Sequence, residues 1–212
     1  METNIKVTKS ISYKAEINIE RGIVSGFFSI YDVLDKQNDV ILDGAFDSSI
    51  YAHNAGVIPG VKHLFNHNTD KIVGKIITLE NRETADGKRG LYFDTMIIDT
   101  ETSKEVYELY KNGIIDNHSI GFFIDDYRII SFGAEEYNKY SNTDVGDIRV
   151  IVKATLIEGS SVLWGANPYT ETVSVKNDDN GKLCCNKNGK DTLYNIDKIN
   201  WYLIEKIIKS KL

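Results

Sequence analysis

At 212 residues and 42% hydrophobic composition, the chain can bury one good core, which predicts one domain with appendages. Its formal net charge of −6 argues against a nucleic-acid-binding surface, because such surfaces are usually basic. The sequence has no apolar run of about 18 residues and no charged-then-apolar start, so we expect neither a membrane span nor a signal peptide.

The sequence pattern predicts three strands and a short helix in the first part of the chain. Apolar and polar residues alternate strictly over residues 11–19, which indicates a half-buried strand. A second, more apolar strand follows over residues 23–30. The polar loop of residues 32–43 contains a short strand at 40–42, and a short helix is expected to end at about Asn54.

The middle of the chain predicts a strand pair followed by a helix. Residues 63–70 are too polar and too rich in turn-forming residues to assign. Residues 72–79 and 91–98 have the composition of two strands joined by a glycine-containing turn. The segment Thr102-Ser103-Lys104-Glu105 matches a capping box, and Gly113 is a good stop for the helix that it would begin.

The strongest strand pattern in the chain lies in its last third. Residues 148–156 alternate cleanly between apolar and polar, and residues 120–124 and 127–132 are strand-like. The β pattern continues over residues 162–164 and 171–175. About eight strands against two or three helices predict an α+β fold, mainly antiparallel, built as a barrel or a sandwich with flanking helices.

The end of the chain differs in composition from the rest. We predict a core domain over residues 1–175, a flexible linker over 176–195 and an amphipathic helix over 196–212. The linker and helix carry eight lysines and five acidic residues, a net charge of +3, so the core domain carries −9. The helix either packs on the core or docks on a partner. The two cysteines are adjacent and can hardly bridge each other, which favours a reducing cytoplasm.

Three residues in suitable settings point to nucleophilic catalysis. Ser119 begins a strand after a helix stop, His67 lies in a polar loop, and Glu158 closes the alternating strand. A serine hydroxyl is a weak nucleophile unless a base accepts its proton and a third group orients that base. Each residue alone is more often structural or solvated, and only their joint presence favours an acyl-transfer site.

Other readings of these histidines and loops are weaker. His63 and His67 have the spacing of metal ligands on a helix, but no glutamate of a zinc-protease motif separates them and no third ligand lies nearby. Residues 35–44 are acidic but miss the spacing of a calcium loop. We therefore expect no metal and no cofactor. His118 adjoins Ser119, and we reject it as the base because adjacent side chains of an extended segment point to opposite faces.

Six short blocks occur in one order along residues 20–175. They are Gly44-Ala45-Phe46, Asn66-His67, Gly74, Ser119-Ile120-Gly121-Phe122, Lys153-Ala154 with Glu158, Ser160 and Val162, and Ala166-Asn167-Pro168. This series resembles the prohead maturation proteases of tailed bacteriophages. The resemblance implies the fold of the herpesvirus assemblins, a herpesvirus-protease-like antiparallel β-barrel flanked by a few helices.

The resemblance also implies a role for each candidate residue. It makes the chain a serine endopeptidase in which Ser119 is the nucleophile, His67 the general base and Glu158 the acid that orients the base. The implied oxyanion-hole donors are the backbone N–H groups of Gly165, Ala166 and Asn167.

The implied substrates are capsid components of the assembling phage. They are the scaffolding protein or the scaffolding segment of the major capsid protein, cut inside the prohead in the host cytoplasm, and the protease itself. Contact with the prohead shell and self-association are further expectations, whereas nucleic acid and membrane are not expected partners. The alternative is a non-enzymatic capsid assembly factor that retains the protease fold.

Overall fold

The computed structural model describes residues 22–57, 59–167, 169–170, 172–176 and 183–184. These ranges contain nine β-strands, two α-helices and one 3-10 helix. The strands are β1 Ile23–Ile30, β2 Asp39–Ile41, β3 Lys62–Phe65, β4 Asn68–Glu83, β5 Arg89–Ile97, β6 Asn117–Ile130, β7 Ile148–Val162, β8 Thr172–Lys176 and β9 Leu183–Cys184. The helices are α1 Asp47–Asn54, α2 Glu101–Lys111 and the 3-10 helix Glu135–Lys139.

The described strands form one sheet in the order β2-β7-β3-β4-β5-β1-β8-β9, with β6 paired to β7. Only the pairings of β7 with β2 and with β3 are parallel. The prediction of a mainly antiparallel β protein with a few helices is therefore confirmed. No pairing among the described strands joins the two ends of this order, so closure of the sheet into a barrel stays a prediction.

β7 is the strand on which the rest of the sheet is organised. β6 runs antiparallel to it from end to end, while β2 and β3 line the two halves of its other edge. The alternation predicted for β7 breaks at its centre, where Ile151 is buried in the main core and Val152 is 38% exposed. On either side of this break the strand alternates as predicted, since Ala154 and Leu156 lie in the main core and Ile148 and Val150 lie in a second, smaller cluster. The carboxyl end of β7 is consequently held between β3 and β6, and residues on those two strands meet there.

Phe28 of β1 fixes the packing beneath this end of β7. Its ring stacks on Phe93 with 3.9 Å between centroids. The ring also lies directly against Gly159, where an added Cβ would come within 2.4 Å of it. Because no side chain fits at that position, Gly159 allows β1 to pack closely under the strand that carries Glu158.

α2 begins two residues earlier than a cap at Thr102 predicts. Thr100 is the N-cap, and its hydroxyl accepts a hydrogen bond from the N–H of Ser103 at 3.2 Å. The capping-box assignment is therefore wrong, and Thr102 lies inside the helix. Starting the helix at Glu101 lets the Ser103 hydroxyl donate to the carbonyl of Ile72 at 2.9 Å, which ties α2 to β4. Gly113 follows the helix with φ of +66°, as its role as a stop predicts.

Three other predictions differ from the structure. The two strand-like segments after residue 117 form the single strand β6, which absorbs irregularities between Ile124 and Tyr127. β7 ends at Val162, so the strand predicted over residues 163–164 is absent, and Trp164 is 85% exposed. Residues 183–184 of the predicted linker pair with β8 as β9. The strand over residues 11–19 and the helix over 196–212 lie outside the described residues.

None of the helices in the described ranges has the length and apolar character needed to span a membrane.

Candidate active site

A tight turn between β3 and β4 carries His67. The turn residues Asn66 and His67 have φ of +52° and +56°, the conformation of a two-residue hairpin turn that suits the twist of the strands. Asn adopts this left-handed region readily, whereas His does so less often. Two hydrogen bonds hold the turn against β7: the N–H of Asn66 donates to the carbonyl of Ser161 at 3.0 Å, and the N–H of His67 to Ser160 Oγ at 3.1 Å.

The turn brings the imidazole of His67 onto the carboxylate of Glu158. Nδ1 of His67 lies 2.6 Å from Oε1 of Glu158. The other carboxylate oxygen accepts a hydrogen bond from the hydroxyl of Ser160 at 2.6 Å. The Glu158 side chain is only 9% exposed, while that of His67 is 45% exposed. The buried carboxylate thus has a partner on each oxygen, and the imidazole reaches from it toward solvent.

Ser119 is on β6, which pairs with the edge of β7 opposite to the edge paired with β3. In the pairing of β6 with β7, Ser119 faces Ser160 and Gly121 faces Glu158. Cα atoms of directly opposite residues in an antiparallel pair are about 4.5–5.5 Å apart, and their side chains share a face. Ser119 is half-buried. The three residues singled out in the sequence therefore converge around Ser160. This serine lies opposite Ser119, and its hydroxyl accepts from the N–H of His67 and donates to Glu158.

The contact with Glu158 sets the protonation chemistry of His67. A carboxylate next to Nδ1 makes that nitrogen the donor, which leaves Nε2 with its lone pair in the neutral ring. The hydrogen bond to Glu158 raises the pKa of His67 above the ordinary histidine value, although partial burial acts in the opposite direction. This arrangement can accept a proton at Nε2 and stabilise the resulting imidazolium.

A second group of polar side chains lies buried on the other face of β7. Nε2 of His63 lies 2.8 Å from Ser161 Oγ, which is 2.6 Å from the Tyr110 hydroxyl. That hydroxyl is in turn 2.9 Å from Nε2 of His118. The remaining ring nitrogens contact Thr95 Oγ1 and the carbonyl of Thr170. Every ring nitrogen of His63 and His118 therefore has a hydrogen-bonding partner. His63 is engaged in this network and does not pair with His67 as a metal ligand, and the imidazole of His118 points into the network and not toward Ser119.

Burial keeps both of these histidines neutral. It lowers the pKa of His118 to about 4 and that of His63 well below the ordinary value. In the part of the chain that the structure describes, no group of three or more potential metal-ligating side chains comes together. The imidazole that is exposed and paired with a carboxylate is His67.

Removing the Tyr110 hydroxyl should destabilise the protein. Tyr110→Phe leaves a nitrogen of His118 and the Ser161 hydroxyl with one partner fewer in a buried site, which costs about 1–3 kcal/mol of unfolding free energy. Denaturant unfolding at neutral pH measures the loss. Tyr51→Phe is the matched control, since Tyr51 is 76% exposed and the change should stay within about 0.5 kcal/mol. Equal stability of the two variants would show that this hydroxyl contributes nothing net.

The loop after β7 carries the residues expected to bind an oxyanion. Lys36 binds this loop through two hydrogen bonds. Its side-chain ammonium donates to the carbonyl of Gly165 at 2.9 Å, and its backbone N–H donates to the carbonyl of Ala166 at 3.2 Å. The Asn167 side chain donates to the carbonyl of Ile30 at 2.9 Å. A cavity of about 70 Å³ is lined by Ala166, Asn167 and Ser119 together, among other residues, while Gly165 is not part of its lining.

Two residues with evident structural roles in the site were not predicted individually. Ser160 bonds to the turn and to the carboxylate and lies opposite β6. In the sequence, however, it is only one of two adjacent serines that follow Glu158, and nothing local distinguishes it from Ser161. Gly121 faces Glu158 so closely that an added Cβ would lie 2.4 Å from Oε1. Both stand in the blocks that carry the family resemblance, and that was the one signal able to find them.

Comparison with known proteins gives three findings. The chain is 28% identical over 137 residues to the prohead protease of Enterobacteria phage HK97, which covers 60% of this chain and 57% of that protein. It therefore spans less than two thirds of the length of this relative. It also matches the structure of the varicella-zoster virus protease at 10% identity and a TM-score of 0.37, over 74% of this chain and 64% of the other. A family model described as caudovirus prohead serine protease matches residues 9–182, and the chain belongs to that family.

Proposed function

We propose that this protein is a serine endopeptidase of phage prohead maturation, with Ser119 as nucleophile, His67 as general base and Glu158 as the residue that orients it. Nε2 of His67 accepts the proton of Ser119 as the hydroxyl attacks the scissile carbonyl. The imidazolium, stabilised by Glu158, then returns that proton to the leaving amine. Water repeats the sequence on the acyl-enzyme and regenerates Ser119.

One observation carries this proposal: the 2.6 Å contact of His67 Nδ1 with Glu158, beside the strand that holds Ser119. The contact fixes the tautomer in which Nε2 is free to act as a base. A carboxylate and an exposed imidazole next to a serine are the parts that acyl transfer requires. The buried histidines do not compete for this role, since both of their ring nitrogens are engaged.

The loop after β7 supplies the oxyanion donors in this proposal. In a trans peptide the C=O and N–H point in opposite directions. Because Lys36 engages the carbonyls of Gly165 and Ala166, the N–H groups of Ala166 and Asn167 point away from Lys36. Ala166, Asn167 and Ser119 line one cavity, which supports these two amides ahead of that of Gly165. Each such donor contributes about 3–4 kcal/mol to transition-state stabilisation.

The proposed substrates are the scaffolding protein or the scaffolding segment of the major capsid protein, cut within the assembling prohead, and the protease itself. Family membership and the HK97 prohead protease similarity support this choice. The test is to co-express the chain with the capsid and scaffolding proteins of its own phage and to look for shortened products by mass spectrometry. Assembly that proceeds with all components at full length would instead favour a non-enzymatic assembly factor.

Gly121→Ala should lower activity although Gly121 has no side chain to react. The new Cβ would lie 2.4 Å from Oε1 of Glu158, so this oxygen must shift, and it is the same oxygen that contacts His67. We expect kcat/KM to fall by about 10–100-fold and the pKa of His67 to fall with it, since Glu158 is what raises that pKa. Peptide cleavage and an NMR titration of His67 measure the two effects.

The control for this prediction is a double-mutant cycle. If Gly121 acts only through Glu158, then adding Gly121→Ala to a Glu158→Gln variant changes kcat/KM little. Fully additive losses, or an unchanged His67 pKa in the single variant, would show that Gly121 acts by another route.

A further inference from the structure

A small cavity opens beside the proposed nucleophile. It measures about 70 Å³, far below the roughly 300–1,000 Å³ of common small-molecule sites. β6 contributes Ser119 and Ile120 to its lining, and the segment between β1 and β2 contributes Asp35. The loop after β7 contributes Ala166 and Asn167. The cavity is thus sized for a single side chain and lies where both the nucleophile and the proposed oxyanion donors are found.

The two carboxylates that line the cavity, Asp35 and Asp39, differ in their hydrogen bonding. Asp39 is matched by Arg149, whose Nε and Nη2 lie 2.7 and 2.6 Å from its two oxygens. Asp35 uses only Oδ1, which accepts from the N–H groups of Gln37 at 2.7 Å and Asp39 at 2.9 Å. Among the described residues, no hydrogen-bond donor meets Oδ2 of Asp35. Burial raises the pKa of Asp35, which fits a carboxylate whose lost hydration is not fully replaced.

The rest of the lining is mixed, with Gln37 among several apolar side chains. It includes Phe28, Ile30, Val33, Ile41, Ile120 and Phe122. A cavity that offers several apolar side chains and a carboxylate with one oxygen free of hydrogen bonds from the described residues complements a side chain that has a hydrocarbon stem and a cationic head. Lysine and arginine are the residues of that kind.

We propose that this cavity binds the side chain of the substrate residue whose carbonyl is attacked, and that Asp35 selects lysine or arginine at that position. The inference rests on the proposed function. The attacked carbonyl carbon must meet Ser119 while its oxygen meets the amides of Ala166 and Asn167. Since these three residues line the cavity, the side chain on the same substrate residue is the one that enters it.

The test uses the full chain and a defined peptide mixture. Unrelated proteins are digested with a glutamate-specific protease, so that lysine and arginine remain inside the peptides. Mass spectrometry then identifies the new cleavage sites, with the Ser119→Ala variant as the blank. We expect lysine or arginine to precede the cut at least ten-fold more often than their abundance predicts. Asp35→Asn should reduce this enrichment at least five-fold.

Asp144→Asn is the matched control. Like Asp35, Asp144 accepts a turn hydrogen bond through Oδ1, here from the N–H of Gly146 at 2.9 Å, and asparagine can keep that bond. Asp144 is exposed and does not line the cavity, so its variant should cleave as the wild type does.

The outcomes separate the two proposals. Ser119-dependent cleavage without a basic preference, or with a preference that survives Asp35→Asn, overturns the assignment of the cavity and leaves the protease intact. If the wild type cleaves nothing beyond the Ser119→Ala blank, the proposed function is rejected and the cavity assignment with it. Because the wild-type preference is itself decisive, the result does not depend on the folding of a variant.

Discussion

Ser119→Ala should abolish cleavage of capsid and scaffolding substrates while leaving the fold unchanged. Loss of the nucleophile lowers kcat by about 10⁵-fold or more in serine proteases. The change removes one hydroxyl from a half-buried position at which no side-chain hydrogen bond is needed to hold β6 to β7, because that pairing is made by the backbone. The measurement is the rate of product formation in co-expression and with purified peptide substrate, beside the melting temperature of each protein.

The matched control is Ser131→Ala, which removes a hydroxyl from an exposed residue just beyond β6. It should keep full activity. Cleavage by Ser119→Ala at the wild-type rate would remove Ser119 from the chemistry, and a lowered melting temperature would show that the serine also holds the fold.

Local patterns were sufficient to predict most of the described strands. β1, β2, β5 and β8 lie within a few residues of the predicted ranges, because alternation and apolar runs are properties of the segment itself. α2 was predicted with the wrong cap because Glu105 completes a capping box with Thr102, whereas Thr100 has Ser103 at the corresponding position. The choice between them depends on the contact of Ser103 with β4, which is made in three dimensions.

The candidate site was predictable as a set of residues but not as a geometry. Residues 63–70 were left unassigned, and yet they hold the turn that presents His67. Nothing local to that turn reveals that its N–H groups bond to Ser160 and Ser161, more than 90 residues away. The same limit applies to the parallel pairing of β3 with β7, which no local pattern encodes. Only the family blocks linked these distant segments before the fold was known.

The roles of two glycines in strands also could not be predicted from local sequence. Gly121 and Gly159 look alike in sequence, each within a strand that would be stronger without it. In the fold, one makes room for the Glu158 carboxylate and the other for the Phe28 ring. A close approach of this kind depends on which side chain arrives from elsewhere in the chain. It is therefore decided by tertiary structure.

Glu158→Gln should lower kcat/KM by about 10²–10⁴-fold, a smaller loss than that of Ser119→Ala. The amide oxygen can still accept from Nδ1 of His67, so part of the orienting role survives, but the negative charge that stabilises the imidazolium is lost. Glu158 is also the main reason that the pKa of His67 is raised. In the variant the rising limb of the pH–activity profile should therefore move to lower pH, toward the ordinary histidine value near 6.5. Peptide cleavage between about pH 5 and 9 measures both effects.

Stability should respond to the same substitution with a definite sign. Because the folded-state pKa of His67 lies above its unfolded value, its pairing with Glu158 stabilises the fold fully below the unfolded pKa, and this contribution is lost as pH rises through the folded pKa. Glu158→Gln should remove that dependence from denaturant unfolding curves. Glu108→Gln, which changes a glutamate in an exposed ion pair with Lys111, should leave activity within two-fold and the pH profile in place. A Glu158→Gln profile that keeps the wild-type midpoint would show that His67 is not the group whose ionisation limits cleavage.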